Sequence, residues 1–139
     1  MAKSKFLGLQ YPLEKTARGI LAQKTGVDQI KADLLQLLLT NPGERVMLPA
    51  FGTPLRELIF EPNDSFLVDK ATQVIADAIR TWEPRIVVSN IEVTNNIPKN
   101  SLNKNDSYDE MEGILYIRIK FVDPENIQQI EELVLERPL

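Results

Sequence analysis

The chain has 139 residues, 43% hydrophobic and 26% charged, with a net charge of -4 at pH 7, which suits one globular domain around one ordinary core. The mild acidity argues against a general nucleic-acid binder, because phosphate contact needs a basic face. With no Cys and no His, disulfides, zinc sites built on those residues, and Ser-His-Asp or Cys-His nucleophiles are excluded.

Residues 1–16 read as an N-terminal arm. Phe6, Leu7, Leu9 and Tyr11 are apolar, but Gly8 and Pro12 interrupt any helix. The basic start and the short, broken apolar run do not make a signal peptide. No stretch is long enough to span a bilayer, so the expectation is a protein used in a cytoplasm, without membrane insertion. A short strand or turn is expected over Ala17 to Gln23.

Thr25 and Asp28 form a capping-box-like pair. Val27, Ile30, Leu34, Leu37 and Leu38 follow at helical spacing, which predicts a first helix from Val27 to Leu39. Asn41-Pro42-Gly43 stops it, because Pro cannot continue the hydrogen-bond ladder and Gly tolerates positive φ. Glu44 to Phe51 is a loop or short extended piece. Thr53-Pro54 then reads as an N-cap followed by proline at the first helical position, starting a short helix to Phe60 that buries Leu55, Leu58 and Ile59. Glu61-Pro62-Asn63 breaks it. Asp64 caps the longest helix, Ser65 to Trp82, whose apolar face holds Leu67, Val68, Ala71, Val74, Ile75, Ala78, Ile79 and Trp82.

Pro84 ends that helix and pushes Glu83 toward extended geometry. Ile86 to Val93 is rich in β-branched residues and reads as a strand. The polar stretch 95–112 reads as a mobile loop. Gly113 to Val122 is the clearest strand, with Leu115, Ile117, Ile119 and Phe121 on one side and Tyr116, Arg118 and Lys120 on the other. The two strands are expected to pair antiparallel. Asp123-Pro124-Glu125 is a turn. Ile127 to Leu135 is ambiguous: Ile127, Ile130 and Val134 fit a helix, while Leu133 and Leu135 fit strand alternation. The tendency of consecutive strands to pair favours a terminal strand. The architecture is α+β: a small antiparallel sheet with helices packed on one face.

No phosphate-cradling loop is present, since the Gly52 turn lacks the following Lys. Glu44, Glu57, Glu61, Asp64 and Glu83 lie near predicted helix ends. A glycosidase needs two carboxylates held across a cleft at a defined separation, and solvated acids and caps are the simpler reading of a chain with 20 acids. Glu83-Pro84-Arg85 is sharper. In an extended segment, positions 83 and 85 point the same way, and arginine offers a planar fork for carboxylates or carbonyls. Two readings stay open: a partner-docking motif, or an internal ion pair, with Glu44 and Arg45 involved, that pins loop to helix end. Trp82 beside it reads as core. The last strand, as a sheet edge, either accepts a strand from another chain or is a plain edge protected by its glutamates.

The residues Ile30 and Leu34, Leu39-Thr40-Asn41-Pro42-Gly43-Glu44-Arg45, then Met47, Pro49, Phe51-Gly52-Thr53 and Leu55, Phe60-Glu61-Pro62, and Trp82-Glu83-Pro84-Arg85-Ile86 together resemble the sheath-initiator wedge proteins of contractile phage tail baseplates, a family with a relative in the type VI secretion baseplate. The resemblance runs from Gly26 to Val93, about half the chain.

The resemblance implies a structural, non-enzymatic baseplate component of a virion tail, without cofactor or metal. Its implied partners are baseplate wedge proteins and the sheath protein, with tube or hub proteins as further neighbours and no nucleic acid. Glu83, Pro84 and Arg85 would dock a helical bundle of larger wedge subunits, supported by Glu44 and Arg45. The C-terminal segment, with Ile127, Ile130, Leu133 and Leu135, would pair with a sheath strand and start sheath polymerisation. Some family members carry a lysozyme label, and the fold also hosts a bacterial anti-adaptor. A carboxylate-dependent muramidase and a regulatory binding protein are therefore the alternatives.

Overall fold

In the computed structural model, residues 7–62, 64–94, 114–124 and 127–138 are described; the first residues of the arm and the expected mobile loop at 95–112 lie outside them. The rest of the arm is tied down. Leu7–Leu9 forms strand β1 and pairs antiparallel with β2, Gln23–Thr25. A bridge between Lys15 and Leu21 tightens the connection. This hairpin lies against helix α1, Gly26–Leu39.

Ile30, Leu34, Leu37 and Leu38 are all buried, so the periodic stripe is the buried face of α1. The expected capping box does not form: Thr25 is the N-cap residue in extended geometry, but its side chain makes no cap bond. Thr53 is likewise not a side-chain cap for the following turn, a 3₁₀ helix over Pro54–Phe60. Its buried hydroxyl instead donates to the Leu37 carbonyl at 3.1 Å, satisfying an acceptor that the last turn of α1 would otherwise leave open. Asp64 does cap helix α2, Ser65–Trp82, accepting from the Leu67 N–H at 3.1 Å.

Three strands complete the chain: β3 (Val87–Thr94), β4 (Ile114–Val122) and β5 (Ile130–Pro138). Their order is β3-β4-β5, antiparallel throughout. The ambiguous C-terminal segment is therefore a strand, but it begins at Ile130. Ile127, expected within it, lies before β5 and is exposed. Leu115, Ile117, Ile119 and Phe121 are fully buried on one face of β4 and join Leu67, Ala71, Ile75 and Ile79 of α2 and the buried face of α1. The α+β expectation, with helices on one face of a small antiparallel sheet, holds.

Candidate functional site

Helix α2 ends where its geometry must: Pro84 has no N–H to continue the ladder. The Glu83 N–H makes the last helical bond, to the Ile79 carbonyl at 2.8 Å. The chain then turns so that Arg85 folds back onto Glu83. The Nε donates to Oε1 and an Nη to Oε2, each at 2.5 Å. The same Nη donates to Asp33 of α1 at 2.5 Å. Asp33 in turn accepts from Gln29, one helical turn earlier, at 2.7 Å. Glu83 is only 5% exposed, while the side chains of Arg85 and Asp33 are 25% and 33% exposed. A polar chain thus runs from Gln29 through Asp33 and Arg85 to the buried Glu83. The Glu83 hydrogen bond is the main force holding the Arg85 guanidinium even more firmly protonated than usual; burial opposes it, and Asp33 adds to it.

The other acid–arginine pair is built differently. Glu44 folds back on its own loop, accepting from the Asn41 backbone N–H at 2.9 Å and from the Asn41 amide at 2.6 Å. The Gly43 N–H bonds the Pro49 carbonyl at 2.7 Å, and the Thr53 N–H bonds the Thr40 carbonyl at 2.9 Å. The loop is therefore closed on itself and onto the end of α1, and Gly43 and Gly52 supply the positive φ its turns need, at 91° and 125°. Arg45 lies over the Phe51 ring, 4.0 Å from its centroid. Phe51 meets Trp82 edge-to-face at 5.3 Å. Trp82 is thus half-buried against a loop aromatic at the margin of the core.

These elements converge. A groove of about 720 Å³ lies between the N-terminal hairpin and α1, and a smaller one of about 190 Å³ lies beside Trp82. Both are lined by Asp33, Gln36, Arg45 and Arg85. The two arginines of the two sequence motifs therefore face common ground, Arg45 through its aromatic stack and Arg85 through its carboxylate fork. Glu44 lines neither cavity; its carboxylate bonds Asn41 within the loop. Pro84 is exposed beside them.

Arg85 does form an internal ion pair, but with Glu83 of the same tripeptide and Asp33 of α1, not with the Glu44-Arg45 loop. Sequence reasoning missed Asp33 and Gln29. Their signal was a polar pair four residues apart on a helix otherwise read for its apolar stripe.

The second candidate surface is the sheet edge. Strand β5 pairs with β4 over nine residues without interruption, whereas β3 carries a register shift between Val88 and Asn90. Leu133 is buried and Leu135 half-buried on the core face, so their side chains serve this domain, while Ile130 is 65% exposed on the other face. Arg118 on β4 meets Glu132 of β5 at 3.1 Å and Glu92 of β3 at 3.6 Å; Lys120 meets Glu92 at 3.2 Å. On the core face, Lys31 of α1 holds Glu131 at 2.7 Å. Among the described residues, no cluster of acids has the makings of a metal site, and no helix is long and apolar enough to cross a membrane.

Residues 24–122 match the family model described as baseplate wedge protein gp25. The baseplate wedge protein gp25 of Enterobacteria phage T4 is 30% identical over 112 residues, which span 80% of this chain and 76% of that protein. A solved structure of a candidate tail lysozyme from Geobacter sulfurreducens shares the fold, with a TM-score of 0.65, 23% identity, and coverage of 84% of this chain and 94% of that one. A chain of the anti-feeding prophage baseplate does so with a TM-score of 0.62, 16% identity, and coverage of 96% and 85%.

Proposed function

The chain belongs to the baseplate wedge protein gp25 family, and from that premise we propose that it is a non-enzymatic joint: one face docks the larger wedge proteins and one sheet edge starts the sheath. At the coarser level it is a structural wedge component of contractile-tail baseplates. In the docking reading, Arg45 and Arg85 are the contact groups, Glu83 and Pro84 hold Arg85 in place, and Glu44 shapes the loop that carries Arg45. The observation that carries this reading is that the arginines of both motifs line the same two adjoining grooves, although they lie about 40 residues apart in the chain. A bidentate, preoriented guanidinium loses little freedom when a partner packs against it. In the sheath reading, β5 offers an unbroken edge to a strand of the sheath protein.

A muramidase would need a carboxylate free to meet substrate. Glu83 is almost fully buried and, with Asp33, is committed to Arg85, so the carboxylates of this site are not placed to meet substrate. The test is reconstitution with the purified wedge proteins. Arg45→Ala and Arg85→Lys, each checked for a folded core by circular dichroism, are expected to weaken wedge capture at least tenfold. Unchanged capture by both variants would leave the groove without a docking role. Cell-wall hydrolysis lost on a single Asp or Glu change would restore the enzyme.

A further inference from the structure

The solvent face and the core face of β5 differ in chemistry, and the difference selects what can lie beside it. Register with β4 puts Glu132, Val134 and Glu136 on the solvent face, opposite Lys120, Arg118 and Tyr116. Leu133 and Leu135 lie on the core face, opposite the buried Ile119 and Ile117. Every second residue of an edge strand turns its N–H and C=O away from its one neighbour. The solvent face carries three carboxylates, Glu92, Glu132 and Glu136, against two cations, Arg118 and Lys120. Arg118 is shared between Glu92 and Glu132, and Glu136 bonds the Tyr116 hydroxyl. The excess negative charge therefore sits on β5, the strand nearest any newcomer.

The opposite edge is less suited. The register shift between Val88 and Asn90 breaks the regular spacing of outward N–H and C=O groups on β3. Pairing between β4 and β5 is regular from end to end.

We propose that the strand which adds to β5 is a basic–apolar alternating one, from another chain, with Lys or Arg beside Glu132 and Glu136 and aliphatic residues beside Leu133 and Leu135. This rests on the reading above that the β5 edge accepts a strand, and adds the chemistry that chooses it. Opposite charges across neighbouring strands stabilise a pair and like charges destabilise it. The half-buried Leu135 gives an incoming aliphatic side chain an apolar surface to cover. An acidic strand with the same apolar residues would meet like charge at both positions.

The full chain can carry its own probe. A flexible Gly/Ser linker after Leu139 brings an appended strand back along β5 at high effective concentration. Two fusions share their apolar positions; one has Lys at the two positions beside Glu132 and Glu136, the other has Glu. Amide hydrogen exchange over residues 130–136 is the readout. The Lys strand is expected to slow exchange of the outward amides about tenfold relative to the Glu strand, with the gap closing at high salt. Equal protection by both strands would overturn the charge selection and leave the open edge standing. Protection by neither would remove the edge reading, and this proposal with it.

Discussion

Arg85 and Glu83 are two residues apart and joined by two parallel hydrogen bonds of 2.5 Å, with Glu83 only 5% exposed. A buried carboxylate is tolerable only when paired. The tripeptide, for which a docking motif and an internal ion pair were both open readings, is a structural clamp at the end of α2, and it reaches α1 through Asp33. The group proposed to dock the wedge proteins is thus also a structural one, so an assembly defect in an Arg85 variant has to be separated from loss of fold.

Arg85→Ala strands Glu83 without its partner. The expected cost is about 2 kcal/mol, below the figure for breaking a fully buried pair because Arg85 and Asp33 are partly exposed. Urea denaturation measures it. Glu83→Gln combined with Arg85→Ala should cost clearly less than the two single costs added, since the second change removes the stranded charge. Strict additivity would show that the pair does not act as a clamp.

Gly52 and Gly43 separate two causes of glycine dependence. Both have positive φ, but a Cβ at Gly52 would collide with the Thr40 carbonyl, whereas one at Gly43 meets open space. Gly43→Ala should cost about 1 kcal/mol from backbone strain alone. Gly52→Ala should cost more than about 2 kcal/mol and shift the loop, because the obstacle is backbone and cannot swing away. Equal melting temperatures for the two variants would contradict this account.

Trp82 is the one tryptophan, and its neighbour Phe51 carries Arg45 on its ring. Phe51→Ala should red-shift Trp82 emission by opening its edge to water. Arg45→Ala should leave emission nearly unchanged and cost about 0.5–1 kcal/mol, the range for a partly exposed cation–π contact. A red shift in Arg45→Ala as large as that in Phe51→Ala would mean that the guanidinium, not the ring, shields the indole.

Strand β5 is part of the domain as well as its edge. Leu133 is 7% exposed and packs with the core, while Val134 is 49% exposed on the other face. Leu133→Ala should cost about 2–3 kcal/mol by the cavity it leaves; Val134→Ala should stay within about 0.5 kcal/mol. Removing residues 127–139 is expected to unfold the protein, because the core face of β4 loses its neighbour. Side-chain changes on the solvent face are therefore the cleaner probe of the proposed sheath initiation. A truncated chain that melts cooperatively near the intact temperature would refute this.

Much of the fold could be read from local chemistry. The stripe from Ile30 to Leu38, the longer one from Leu67 to Trp82, the Asp64 cap and the alternation from Leu115 to Phe121 are periodic signals, and periodicity decides which face is buried. The two caps proposed for Thr25 and Thr53 did not form; for Thr53, the hydroxyl bonds an acceptor that the assembled fold brings near instead. That acceptor is the Leu37 carbonyl, sixteen residues back.

The candidate site divides along the same line. Sequence by itself determined that Pro84 would end α2, that Glu83 and Arg85 would share a side, and that Pro42, Gly43 and Gly52 would fold the Glu44-Arg45 loop into tight turns. Those are consequences of fixed φ, missing N–H groups and two-residue alternation. Only the tertiary structure decided that Asp33 would complete the Arg85 clamp, that Arg45 would rest on Phe51 and Phe51 on Trp82, and that both arginines would line the same two grooves. It also decided that β5 would begin at Ile130, leaving Ile127 outside. Such choices depend on which distant surfaces the buried stripes of α1, α2 and β4 bring into contact, and no short stretch of sequence contains that information.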